Sequence, residues 1–214
     1  MNRMDNLEDY VAAQNKEANS IARACTFLAD GDIAGAGTVI KDEYPFLYAP
    51  PGARKYTERN LTDTFLRDGG IDRYMGHRLI YTPVLRILSG RLGEIVPYQK
   101  NWKMDSTHQA YWNLAPTLDH IASVAGGWQG KPDASDNWVC CSQLTNSQKG
   151  AWTLEQLGWT LKPVGDDPHW DGLVTWFLTY YPKHEDLHAI DYFRSWYRVA
   201  QAAVNARGLH ISTP

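Results

Sequence analysis

Residues 116–150 read "PTLDHIASVAGGWQGKPDASDNWVCCSQLTNSQKG", and the order of element signals within them decides the fold. "PTLDHI" is a short apolar strand with an aspartate set against a histidine. "AGGWQGKPDASDN" is a loop by its glycine, proline and aspartate content. "WVCC" is a second short apolar strand, and "NSQKG" is the entry to a helix. Asp119, His120, Asn137, Asn146 and Lys149 stand out as polar groups that are costly to bury without partners. Strand, long loop, strand and helix form an arrangement that can bring them together.

Outward from this stretch the signals are mostly helical. Leu7, Tyr10, Val11, Ala22, Cys25, Phe27 and Leu28 recur at roughly helical spacing over residues 4–29, and Asp30-Gly31 stops the run. "DIAGAGTVIKDEY" predicts a second helix, and the Pro-Pro-Gly of "YAPPGARKY" a loop. "TERNLTDTFLRDGG" predicts a helix capped by Thr57 and stopped by Gly69-Gly70. A turn and a strand are expected over "IDRYMGHRLIY", a helix over "TPVLRILSGRLG", and irregular chain up to Trp112. Thr153 and Gln156 form a capping-box pattern. "HWDGLVTWFLTYY" and "AIDYFRSWYRVAQAAV" predict amphipathic helices.

The 214 residues suffice for one good-sized core, and 43% hydrophobic with 21% charged content indicates a folded chain. No run approaches the roughly 18 apolar residues of a membrane span. The polar N-terminus has no apolar signal-peptide core, and the three cysteines make no disulfide framework, so the expected setting is cytoplasmic. Net charge is −3, yet Arg54–Lys103 holds ten basic against five acidic residues, a +5 segment on a remainder of −8. A local polyanion contact and an ordinary mixed-charge surface both fit that distribution.

The 116–150 stretch resembles the HNH (ββα-metal) nuclease motif in its His-Asn-Asn form. In that family an Asp-His pair ends the first strand and a Gly-Gly loop follows. One Asn opens the second strand, and another lies nine positions further on, in the helix. Asp119-His120, Gly126-Gly127, Asn137 and Asn146 match in order and in that offset, and Lys149 follows on the face of Asn146. The resemblance implies hydrolysis of a phosphodiester. An imidazole, with its ordinary pKa of about 6.5, can take a proton from water, so His120 is the expected general base. Asp119 and Asn146 offer the hard oxygen ligands that Mg²⁺ or Mn²⁺ accepts. Asn137 is expected to brace the loop and orient His120, and Lys149 to neutralise phosphate charge. Adjacent strand residues point to opposite faces, so Asp119 and His120 share a site only where the strand ends or kinks.

Many members of that family carry four zinc-binding cysteines. The corresponding positions here are Asp72, Met75, Ser142 and Thr145, so no structural zinc is expected and ordinary packing is expected in its place. Cys140 and Cys141 read as small buried hydrophobes. The forty or so residues after Gly76 are longer than the motif requires. With Trp102, Tyr111 and Trp112 they fit either a DNA-contacting element or a packing substitute, with the balance slightly toward DNA.

A second motif competes. "HEDLH", residues 184–188, matches HExxH, which on a helix sets two histidines on one face for zinc. No glutamate follows Glu185, so the usual downstream ligand is missing and a chance match at a charged helix junction is expected. His77, His108, His169 and His210 have no partners at metal or triad spacing.

The sequence therefore predicts an α+β protein with a ββα-metal (HNH) core over residues 52–165, inserted at about 77–115. Helical segments over 1–51 and 166–214 flank it. The expected activity is divalent-metal-dependent DNA endonuclease, leaving 3′-hydroxyl and 5′-phosphate ends, and a homodimer is one route to cutting both strands. The rival class is a non-catalytic DNA- or protein-binding module on the same fold.

Overall fold

Two short antiparallel strands and the helix that follows them organise the larger part of the molecule. The structure is a computed structural model, and it describes residues 7–45, 56–122, 135–167 and 169–208. The described chain is α+β: mixed helix with one two-stranded antiparallel sheet. It divides into two compact units, residues 1–55 and 56–214.

The first unit is a helical hairpin of α1 (Leu7–Ala29) and α2 (Ile33–Glu43). Gly31, at φ 77°, supplies the turn, and the Asp32 side chain caps α2 by accepting from the Gly35 N–H. Ala24 and Ala36 are buried in it, and the Ser20 hydroxyl donates to Glu43 at 2.9 Å.

The second unit starts with α3 (Glu58–Arg67), whose Thr57/Asn60 capping box satisfies the first free N–H groups. Gly69 and Gly70 end it at φ 72° and 66°, and a Cβ on Gly69 would stand 2.2 Å from the Gly165 carbonyl oxygen. The expected strand over residues 71–81 does not form. A single bridge pairs Ile71 with Arg78. Beyond it the N–H groups of Leu79, Ile80 and Tyr81 go to Gly70, Leu114 and Gly172, three separate segments that cannot make a ladder.

Helix α4 (Thr82–Leu92), a single 3₁₀ turn and α5 (Ala110–Asn113) lie within the predicted insertion. Strands β1 (Pro116–His120) and β2 (Trp138–Ser142) pair from Pro116↔Ser142 to His120↔Trp138. Helix α6 (Gln143–Lys149) follows β2 without a loop, because Ser142 is also its N-cap and accepts from the Thr145 N–H. The helix thus begins three residues before "NSQKG". After α7 (Leu154–Leu157), α8 covers only Val174–Tyr180, a narrower span than the sequence pattern. The Asp171 carboxylate caps the Thr175 N–H at 2.7 Å. Helix α9 (Asp191–Ala206) closes the chain and packs on α3.

A two-stranded sheet leaves an outer edge on each strand, and the edge of β2 is satisfied by side chains and a turn. The Cys140 N–H donates to Asp68 Oδ2 at 2.8 Å and the Ser142 N–H to Asp72 Oδ2 at 2.9 Å. The Arg73 N–H donates to the Cys140 carbonyl, and Arg67 donates to that of Trp138. Both aspartates are fully buried. One face of the hairpin joins the main core of Phe65, Leu79, Tyr81, Phe177 and Trp196; the other joins a smaller cluster around Tyr74 and Val139.

Candidate active site

The alternation of β1 and β2 sorts the predicted residues onto two faces. Thr117, Asp119, Val139 and Cys141 share the face covered by α6 and Tyr74. Leu118, His120, Trp138 and Cys140 share the face that enters the main core. The ladder runs without a kink through Asp119↔Val139 to His120↔Trp138, and β1 ends at His120.

On the first face Asp119 is nearly buried. Its Oδ2 accepts from the Tyr74 hydroxyl at 2.6 Å and is ion-paired with Lys149 Nζ at 2.9 Å. Among the described residues no hydrogen bond reaches its Oδ1. Lys149 is fully enclosed and also donates to the His120 carbonyl at 2.8 Å. The ammonium is thus held between a carboxylate and a backbone carbonyl. Burial and then the Asp119 charge push the Tyr74 phenol far above its ordinary range, so it remains a donor.

Asn146, three residues before Lys149 on α6, leans over the same face. Its Nδ2 lies 3.4 Å from both Thr117 Oγ1 and the Leu118 carbonyl, and that carbonyl can only accept, which fixes the amide with Oδ1 turned the other way. Asp119, Asn146 and Lys149 are therefore brought to one face. Among the described residues no three His, Cys, Asp or Glu side chains gather as a metal group. A cation here would meet one carboxylate and one amide oxygen, a donor set that suits Mg²⁺ or Mn²⁺ and leaves most of the shell to water or substrate.

His120 is not brought to that group in this arrangement. It is 4% exposed, with Trp138 Nε1 3.2 Å from its Nε2 and the Tyr56 hydroxyl 2.9 Å from its Nδ1. An indole N–H can only donate, so Nε2 is the accepting nitrogen. Nδ1 then carries the hydrogen and donates to Tyr56. The lone pair a general base needs is occupied by Trp138.

Asn137 sits immediately before β2. Its Oδ1 accepts from the Ala122 N–H at 2.9 Å and its Nδ2 donates to the Ala122 carbonyl at 3.1 Å. Its own carbonyl takes the Ile121 N–H. These bonds hold the two residues after His120. The Gly126-Gly127 match lies outside the described residues.

The four positions matching zinc cysteines hold a hydrogen-bonded cluster in place of the ordinary packing expected. Asp72 Oδ1 accepts the Tyr74 and Met75 N–H groups while its Oδ2 takes the Ser142 N–H. Ser142 Oγ and Thr145 Oγ1 lie 2.9 Å apart. One carboxylate thus ties the 72–76 turn to the β2–α6 junction.

Five members of the basic segment are paired with carboxylates: Arg59, Arg67, Arg73, Arg78 and Arg91. Arg86 lies between the rings of Tyr98 and Tyr192. Tyr111 is fully buried, and Trp102 packs edge-on against both Tyr111 and Trp112, so these insertion aromatics serve packing. "HEDLH" forms no α-helix: Glu185–Leu187 is a single 3₁₀ turn. His184 Nδ1 and His188 Nε2 meet the Tyr180 and Tyr181 carbonyls instead of a shared ligand.

Sequence reasoning missed Tyr56, Tyr74 and Trp138. Only Trp138 left a signal, since pairing the strands from their loop ends sets it opposite His120. No helix of the described residues is long and apolar enough to cross a membrane. No protein-family model matches this chain, and neither does any curated protein or any solved structure.

Proposed function

We propose that the chain is a divalent-metal-dependent DNA endonuclease with a ββα-metal core. The observation that carries this reading is the placing of Asp119 and Asn146 on one face of a strand–strand–helix unit, each with an oxygen not engaged by the described residues. Asp119 and Asn146 would hold Mg²⁺ or Mn²⁺, whose charge at such a site offsets the negative charge that grows on the phosphoryl and leaving oxygens. Lys149 and Tyr74 hold the Asp119 carboxylate in place. His120, at the last rung of the hairpin, takes the proton from the attacking water once its Nε2 leaves Trp138. Asn137 anchors the backbone immediately after it.

The Trp138–His120 contact favours a second reading, a non-catalytic DNA- or protein-binding module, because it occupies the base. Supercoiled plasmid incubated with Mg²⁺ or Mn²⁺ separates the two. The endonuclease nicks it, leaves 3′-hydroxyl and 5′-phosphate ends, and loses at least about a hundredfold in rate as His120→Ala. Intact plasmid, RNA and single strands with every metal tried leave the binding module as the reading.

A further inference from the structure

We infer that Tyr74, acting with Lys149, is a positioning residue that turns Asp119 into a one-oxygen cation ligand by occupying Oδ2 and presenting Oδ1. This deepens the endonuclease reading and rests on it for the identity of the cation.

Oδ2 accepts the Tyr74 hydroxyl at 2.6 Å and is ion-paired with Lys149 Nζ at 2.9 Å, so both contacts hold the same carboxylate oxygen. Each donor is itself fixed from a second direction. Lys149 Nζ donates to the His120 carbonyl and lies 5.8 Å from the centre of the Tyr74 ring. Tyr74 has its N–H on Asp72 Oδ1, its ring tilted against Trp159 at 5.7 Å, and 2% of its surface exposed. Asp72 in turn holds the Ser142 N–H at the root of α6, the helix that carries Asn146 and Lys149. One chain of contacts therefore joins the turn, the carboxylate and the helix. A carboxylate free to rotate would exchange its two oxygens; this one cannot without breaking both bonds.

Satisfying a buried carboxylate would also explain the contact, and that purely structural role predicts a different result. The test is Mn²⁺ titration of the whole chain, followed by the paramagnetic signal of free Mn²⁺, for wild type, Tyr74→Phe and Lys149→Met, with melting curves alongside. The expected result is one Mn²⁺ per chain, bound about tenfold more weakly by each variant that remains folded. The metal-concentration dependence of plasmid nicking should shift by the same factor. Lower melting temperatures with unchanged Mn²⁺ affinity in the folded variants overturn the inference, and Lys149→Met decides the matter if Tyr74→Phe does not fold. Failures separate cleanly: Mn²⁺ bound without any nicking removes the endonuclease reading alone. Nicking with unshifted metal dependence in the variants removes the positioning role alone. A wild type that binds no Mn²⁺ removes both.

Discussion

The two faces of the β1–β2 hairpin treat their ionisable residues in opposite ways. On the Asp119 face a carboxylate, an ammonium and a phenol are buried together, and one carboxylate oxygen has no hydrogen bond among the described residues. On the His120 face a lone imidazole is wedged between Tyr56 and Trp138 at the rim of a large apolar core, and both ring nitrogens are engaged. A strand period of two imposes this split on any Asp-His pair within a regular ladder. In the proposed function the first face would hold the cation and the second would supply the base. Joining them takes a local change at the last rung, where Trp138 and Tyr56 release the ring.

The largest expected effect lies on the Asp119 face. Asp119→Ala leaves the Lys149 ammonium enclosed without its carboxylate, and urea unfolding should show a loss of about 3–5 kcal/mol. Nicking should vanish with it. A loss under about 1 kcal/mol would mean that Lys149 escapes to solvent and that this face is looser than drawn. Next comes the tie beneath both faces: Asp72→Ala strands three N–H groups and should cost about 3 kcal/mol by the same measurement.

On the His120 face, Trp138→Phe removes the N–H that occupies Nε2, with part of the indole's volume, while keeping an aromatic ring in the core. Stability should fall by about 1–3 kcal/mol. Nicking should be equal to wild type or faster, whereas Tyr56→Phe, which removes the acceptor of the Nδ1 hydrogen, should slow it. A Trp138→Phe protein that is stable and inactive would show that the indole aids the base rather than blocks it.

The smallest effect samples both faces at once. Cys140 and Cys141 lie on opposite sides of β2, and burial pushes both thiols well above their ordinary range, with Asp68 adding to the first and Asp119 to the second. Raised thiols carry less thiolate at any pH below their titration, so at pH 8 a maleimide should label the exposed Cys25 alone in the native protein. Fast labelling of a second thiol would mean that the hairpin opens.

Local chemistry made the frame legible in the sequence. Thr57 as an N-cap and Thr153 with Gln156 act through neighbours a few residues away, and the structure has both in place. What escaped depends on distant partners. Residues 78–81 have strand-like composition, yet their backbone bonds go to three different segments. Asp68 and Asp72 lie at the end of a helix and in the turn after it, while their carboxylates cap a strand edge some seventy positions away. Lys149 matched a motif by spacing, but spacing says nothing of the aspartate and tyrosine that enclose it. Helix and strand periods bring Asp119, Asn146 and Lys149 together; the separation of His120 follows from strand alternation, which holds to the last rung.

Anomalous diffraction from a crystal soaked in Mn²⁺ addresses the central claim most directly. The account predicts one strong peak about 2.1 Å from Asp119 Oδ1 and from the side-chain oxygen of Asn146, with Oδ2 still on Tyr74 and Lys149. A map without density at Asp119, or with the metal bound far from α6, would contradict it.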